Sequence, residues 1–255
     1  MKLTKKNYLR QMHRWLGLIA GIQLLLWTVS GLYFTLIPIE EIRGDHLRLE
    51  PEATPVTNHQ WLSPSQVLNL HPDLNTKTSQ EIRLSHTDGH PIYLIGSVRL
   101  DALTGKKLDT VSKQQALDIV QARAKGRITG IDLVQSVDSD SEYRGRELPA
   151  WRVTIDQEEA HFYVGAGSGR LLAVRTNAWR WFDFLWALHI MDYENRDNFN
   201  HLLVQVLAVL SAITVLSGLA LFFVLAIGGA SAWGAGSAAQ AYAEGDIALG
   251  AKDAP

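Results

Sequence analysis

Two stretches of this chain contain no Asp, Glu, Lys or Arg: residues 15–39 and residues 198–243. The first reads WLGLIAGIQLLLWTVSGLYFTLIPI, and the second contains LLVQVLAVLSAITVLSGLALFFVLAI. Crossing a hydrocarbon core of about 30 Å takes roughly 20 residues at helical rise, so each run is long enough. Continuous apolar runs in lipid satisfy their backbone only as helices. Whole-chain averages hide this: 47% apolar residues and a formal net charge of −2 are ordinary values.

The flanks give an orientation. Lys2, Lys5, Lys6, Arg10 and Arg14 precede the first run with no acid among them. That bias places the N-terminus in the cytoplasm, and a second span returns the C-terminus there. A cleaved signal peptide would have an apolar stretch of only about 7–15 residues and a small-residue cleavage site. Here the chain continues with Pro38, Glu40 and Glu41, so a retained anchor is expected. The segment between the runs has no basic excess that would suit nucleic acid. The chain has no cysteine, which excludes thiolate metal sites, iron–sulfur clusters and covalent haem attachment; any haem would be b-type.

Between the runs the pattern predicts an α+β domain. Ser63 reads as the N-cap of a helix with Pro64 at its first position, and Ser112 begins a second helix ended by Gly126. Strands are expected near 81–85, 91–97 and 98–103, with Asp88-Gly89 and Thr104-Gly105-Lys106 as turns. Further strands are expected near 128–134, 150–156, 160–164 and 171–175. The order of helix, strands, Gly-containing turn and strand occurs twice, with PIYLIG…LDALTGKKL paralleling PAWRVTI…YVGAGSGRLL. Two helix-on-antiparallel-sheet units follow from this, unless two ordinary hairpins coincide. The expected organisation is a cytoplasmic N-terminus and first span (1–39), an extracytoplasmic domain (40–178), an aromatic segment with the second span (179–227) and an Ala/Gly-rich tail (228–255).

Three of nine histidines lie at the membrane boundaries: His13, His189 and His201. Ionisable side chains at a membrane helix are candidates for function, and imidazole is the usual axial ligand of a b-type haem. Structural readings stand beside this one. His13 fits an Arg/Trp anchor belt, with Gly17 and Gly21 as a small-residue stripe. His189 closes the aromatic segment Trp179-Arg-Trp-Phe-Asp-Phe-Leu-Trp, which reads as an interfacial anchor, and His201 reads as a polar helix start. On one continuous helix His189 and His201 would be separated by roughly 18 Å and could not share an iron. Either the chain breaks near 192–198 or the two serve different sites. His13 falls at the opposite membrane face in this topology, so a ligand partner for it must come from a second chain. A two-fold dimer provides one and makes a four-helix bundle.

Two segments carry a resemblance. HRWLGLIAGIQLLLWTVSGLYF resembles the first helix of PepSY-associated transmembrane proteins, and WFDFLWALHIMDYENRDNFNHLLVQVLAVLSAITVLSGLALFF resembles their last helix with its preceding Leu-His. The similarity extends over roughly residues 8–225 and matches a short, two-helix branch. It implies two PepSY-like units in a bacterial inner-membrane protein with a periplasmic domain. It further implies an association with iron uptake, haem b held by His13 and His189, and reduction of a periplasmic Fe(III) or ferric siderophore complex. Asp138, Asp140, Glu142, Asp183 and Asp192 are acidic candidates to meet that iron complex. Membrane lipid, a homodimer partner, an iron transporter and a quinol or reductase donor are the expected partners. Rival readings are a PepSY module that binds a protein or inhibits a peptidase without redox activity, and a transporter accessory subunit. The tail departs from the resemblance, which calls for Arg or Lys just after the last helix.

Overall fold

In a computed structural model the chain is described over residues 5–50, 61–74, 81–87 and 90–219, with the side chains of 5–13 and 86–87 excepted. The expected Asp88-Gly89 turn, the tail from Gly228 and the His13 side chain lie outside what is described. The described residues form two compact units, one of them running from Val29 to Phe199. The other contains the earlier part of α1 (Lys5–Leu36) and all of α6 (Leu202–Leu219).

The apolar runs are helices. α1 includes a 23-residue span, Arg14–Leu36, and α6 an 18-residue span, Leu202–Leu219, each apolar and long enough to cross a membrane. Their surfaces fit a lipid solvent: Leu25 is 62% exposed, Leu202 75% and Leu216 65%. Contiguous apolar surface on that scale is not left in water. Buried or half-buried positions on α1 recur as Ala20, Gln23, Trp27, Ser30 and Phe34, a period near 3.5. On α6 they are Val204, Leu207, Leu210, Ser211 and Thr214. Small and polar side chains on the inward stripe are the usual composition of helix contacts in membranes, where apolar burial alone gives no drive to associate.

The second unit is α+β. After α2 (Ile39–Ile42) and the one-turn segment Asp45–Leu47 comes α3 (Pro64–Leu70), then the antiparallel strands β1 (Ile82–Thr87), β2 (His90–Ile95) and β3 (Val98–Asp101) in that spatial order. α4 (Lys113–Gln121) then precedes a second antiparallel sheet, β4 (Ile128–Val134), β5 (Ala150–Ile155), β6 (His161–Gly165) and β7 (Leu171–Arg175), again in sequence order. The unit closes with α5 (Asn177–Ile190).

Both α3 and α4 start with the same device. Ser63 and Ser112 accept from the backbone N–H three residues on, and Gln66 and Gln115 reach back to the cap N–H. The S-x-x-Q spacing is a capping box, which satisfies two otherwise orphaned donors. The repeated unit order is therefore present, but its copies differ: three strands follow α3 and four follow α4. α4 ends at Gln121, with Ala122 as its C-cap. Gly126 instead lies five residues beyond, in the turn into β4 at φ +116°, where its neighbours include Asp156. That corrects the expected helix end.

Val67, Tyr93, Ile95, Leu100 and Ala102 form the core under the first sheet. The larger core lies between α4 and the second sheet and includes Leu47, Val120, Val153, Ile155, Phe162, Val164 and Val174. The opposite face of that sheet buries Tyr143, Ala150, Tyr163 and Ala173, with Tyr143 stacked on Tyr163 at 4.1 Å between ring centroids. With both faces covered, β6 is buried at four consecutive positions rather than alternately.

Candidate functional site

α5 brings His189 to α1, and its start is built from the sequence upward. Thr176 is fully buried; its hydroxyl accepts from Trp179 N–H as the N-cap and donates to the Ile42 carbonyl. Gly44 makes this approach possible, with φ +71° and space so tight that a Cβ there would lie 2.8 Å from Val174 Cγ1. From that anchor α5 runs back along α1. Tyr33 Oη donates to the Ala178 carbonyl near its start, and Ser30 meets His189 near its end.

The His189 environment combines a polar contact with two aromatic walls. Ser30 Oγ lies 2.7 Å from His189 Nδ1, and Ser30 is 1% exposed. Trp186 lies parallel to the imidazole, 6.4 Å between centroids and 7° between planes, and Phe34 meets it edge-on at 5.6 Å. Phe182 extends the wall against Trp186 and Phe34. Burial holds the imidazole below its ordinary pKa, which favours the neutral ring.

The chain breaks immediately after His189. Met191 takes a left-handed conformation at φ 57°, and α5 ends. Asp192 then closes the turn by accepting from four backbone N–H groups, those of Glu194, Asn195, Asp197 and Asn198. Those bonds hold its carboxyl below the usual range. Asp183 on α5, 5% exposed, accepts a two-pronged fork from Arg144 at 2.6 and 3.1 Å and a further contact from Arg196. Arg144 also donates to the Asn195 carbonyl, and Trp186 Nε1 to the Arg196 carbonyl. His201 follows this turn, just ahead of α6. His189 and His201 are therefore not on one continuous helix, which is the first of the two expected possibilities.

Two of the acidic candidates are corrected by these contacts. Asp183 is consumed by two arginines. Glu142 accepts from His161 Nδ1 at 2.5 Å, Tyr163 Oη at 2.7 Å and Arg180 Nε at 2.8 Å. Neither Asp183 nor Glu142 presents a solvated carboxylate, whereas Asp138 and Asp140 are exposed and Asp192, though bonded to the turn, is half-exposed. Burial alone would raise the Glu142 carboxyl; the three hydrogen bonds and the Arg180 charge outweigh it and lower it to about 2.

Of the expected ligand residues, His189 is placed with its side chain against α1, His13 is placed on α1 by its backbone alone, and His201 is half-buried. No cluster of three or more His, Asp or Glu side chains suited to a bare metal ion occurs among the described residues. The small-residue stripe is open: a Cβ added at Gly17 or Gly21 meets nothing described within 4 Å. Ser30 and Phe34 were not among the expected site residues. Their signal in the sequence was faint: one hydroxyl and one ring on the inward stripe of an apolar run.

A haem would ask specific things of His189. A metal-bound imidazole normally gives its second ring N–H to a fixed acceptor, which sets the tautomer and the ring plane. The tautomer that donates Nδ1–H to Ser30 carries the lone pair on Nε2, the usual iron-binding atom. In that tautomer His189 would be the residue of this unit to hold a haem iron, with Ser30 as the acceptor of its second N–H.

The family model described as PepSY-associated TM region matches residues 10–233. The chain belongs to that family and is a membrane protein. No curated protein and no solved structure matches it.

Proposed function

From membership of a PepSY-associated membrane family, we propose that this protein carries electrons through haem b to a ferric complex outside the inner membrane, in iron acquisition. The reading rests on the histidine that closes α5. Its Nδ1 is matched to a buried serine hydroxyl, and its ring is walled by Trp186 and Phe34. The iron-uptake association comes from the resemblance of the helix motifs. In this reading the N-terminus, the C-terminus and His13 are cytoplasmic. The two sheets form a periplasmic pair of PepSY-like units.

Haem b supplies reversible one-electron exchange at its iron. What this chain supplies is ligation, orientation and insulation. His189 offers Nε2, and Ser30 holds the ring through Nδ1. Phe34, Phe182 and Trp186 keep water from that side of the ring, lowering the local dielectric. Asp183, clamped by Arg144 and Arg196, fixes α5 and the turn that follows it. His201 is the proposed further ligand on the outer side. His13, contributed twice by a two-fold dimer, is the ligand pair at the cytoplasmic face.

The test is a transfer assay. Full-length protein is reduced with dithionite, freed of excess reductant and mixed with ferric citrate, and Fe(II) is trapped by a chromogenic chelator. Stoichiometric Fe(II) is expected. His189→Ala should abolish it, and Ser30→Ala should weaken haem retention about 10–100-fold, the cost expected for losing an outer-shell partner. Undiminished Fe(II) release from His189→Ala protein would remove His189 from the electron path.

A further inference from the structure

The second unit contains a cavity of about 560 Å³ that lies apart from His189. Arg43, Arg48, Arg144, Arg146 and Arg175 line it, together with Trp179. Five guanidinium groups around one cavity is a large concentration of charge for a chain whose net charge is −2.

Local carboxylates do not neutralise it. Arg144 is matched by Asp183, which Arg196 shares. Among the described residues Arg48 pairs with Asp45 alone, at 3.6 Å, and its Nε has no hydrogen-bond partner. Arg43, Arg146 and Arg175 form no ion pair with a carboxylate among the described residues. Arg146 donates to the Leu172 carbonyl. Arg175 donates to the carbonyls of Glu142 and Val174, and its guanidinium lies 4.0 Å from the Trp179 ring centroid. Two carboxylates also line the cavity, Glu142 and Asp197. The Glu142 side chain is spent on His161, Tyr163 and Arg180.

Arg175 is 8% exposed, and its guanidinium is bonded to backbone carbonyls and laid on a π face, with Glu142 and Asp183 acting on it only from a distance. A buried cation with no carboxylate bonded to it is costly: burial and neighbouring Arg146 push its pKa down to about 10, against the opposing pull of Glu142 and Asp183. The guanidinium is planar, stays charged and presents donors in a fork that fits carboxylate and phosphate oxygens. Arg43 and Arg146 are exposed while Arg175 is buried, so charge continues from the surface inward.

We propose that this cavity is a binding site for a compact small-molecule polyanion that carries two or more carboxylate or phosphate groups. One lone ion would underfill it, since small-molecule sites span roughly 300–1,000 Å³. Arg144 lines the cavity and also holds Asp183 on α5. A bound anion is then one ion pair away from the helix that ends in His189. The inference does not depend on the redox reading, because anion binding is measured without electron transfer.

Citrate and pyrophosphate are the probes, titrated calorimetrically into full-length protein in nanodiscs of phosphatidylcholine at low ionic strength. Saturable one-to-one binding of at least one probe is expected, with a rise in Tm. The neutral triethyl ester of citrate should do nothing. The double variant Arg43→Gln/Arg146→Gln alters only exposed side chains and should weaken binding at least tenfold with an unchanged circular dichroism spectrum. Arg175→Lys, which keeps the charge but loses the fork, should also weaken it. Absence of saturable binding by either probe, or binding that the double variant leaves intact, overturns the proposal. So does a cavity that takes only lipid headgroups: no soluble probe binds, and the double variant alone loses retention of phosphatidylglycerol.

Discussion

A serine hydroxyl 2.7 Å from Nδ1 ties the His189 ring to α1. Ser30 sits in an otherwise apolar run, and nothing in its neighbours hints at a partner 159 residues away. The histidine was legible because a lone imidazole at a membrane boundary is costly and conspicuous. The serine was not, because a hydroxyl inside a membrane helix can return its hydrogen bond to its own backbone. Glu142 shows the same limit. In VDSDSEY it reads like Asp138 and Asp140, yet strand pairing brings His161 and Tyr163 to it. With its folded pKa near 2 against an ordinary 4.5, Glu142 adds stability that is complete above about pH 4.5. That contribution is lost as pH falls toward 2. Thermal midpoints measured from pH 6 to pH 3 should fall more steeply for the natural protein than for Glu142→Gln. Parallel slopes would contradict the role given to this carboxylate.

At the scale of elements, α5 is the piece on which the site depends. Its N-cap is Thr176, and its C-terminus is a left-handed Met191 followed by a turn closed on Asp192. Asp183 ties the helix to Arg144 and Arg196. Asp183→Ala leaves two guanidinium groups without their carboxylate, so a loss of about 3–5 kcal/mol is expected, as for one partner of a buried ion pair. Chemical denaturation followed by circular dichroism checks it, and a loss under about 1 kcal/mol would show the clamp to be incidental. Many elements could be read from the chain. β4 and β7 span the residues expected, because alternation and Gly turns bracket them. The caps at Ser63 and Ser112 were legible because the S-x-x-Q device is local. The end of α4 was not, because Gly126 serves a turn rather than a helix stop. The arginine cavity was equally hidden: its five arginines come from four places in the sequence and meet only through the fold.

At the scale of the whole molecule, two exposed apolar helices and the family match make this a membrane protein. The account built on that foundation is electron transfer. It requires His13 to find its partner in a second copy of the chain, so a dimer is expected by mass photometry in nanodiscs. The most direct measurement is optical. Full-length protein purified from haem-replete cells should be red, with a Soret band that shifts and sharp visible bands that appear on adding dithionite. His13→Ala and His189→Ala should each lose part of that absorbance. A colourless, folded preparation, or one whose spectrum neither substitution alters, would contradict the assignment of this chain to haem-borne electron transfer.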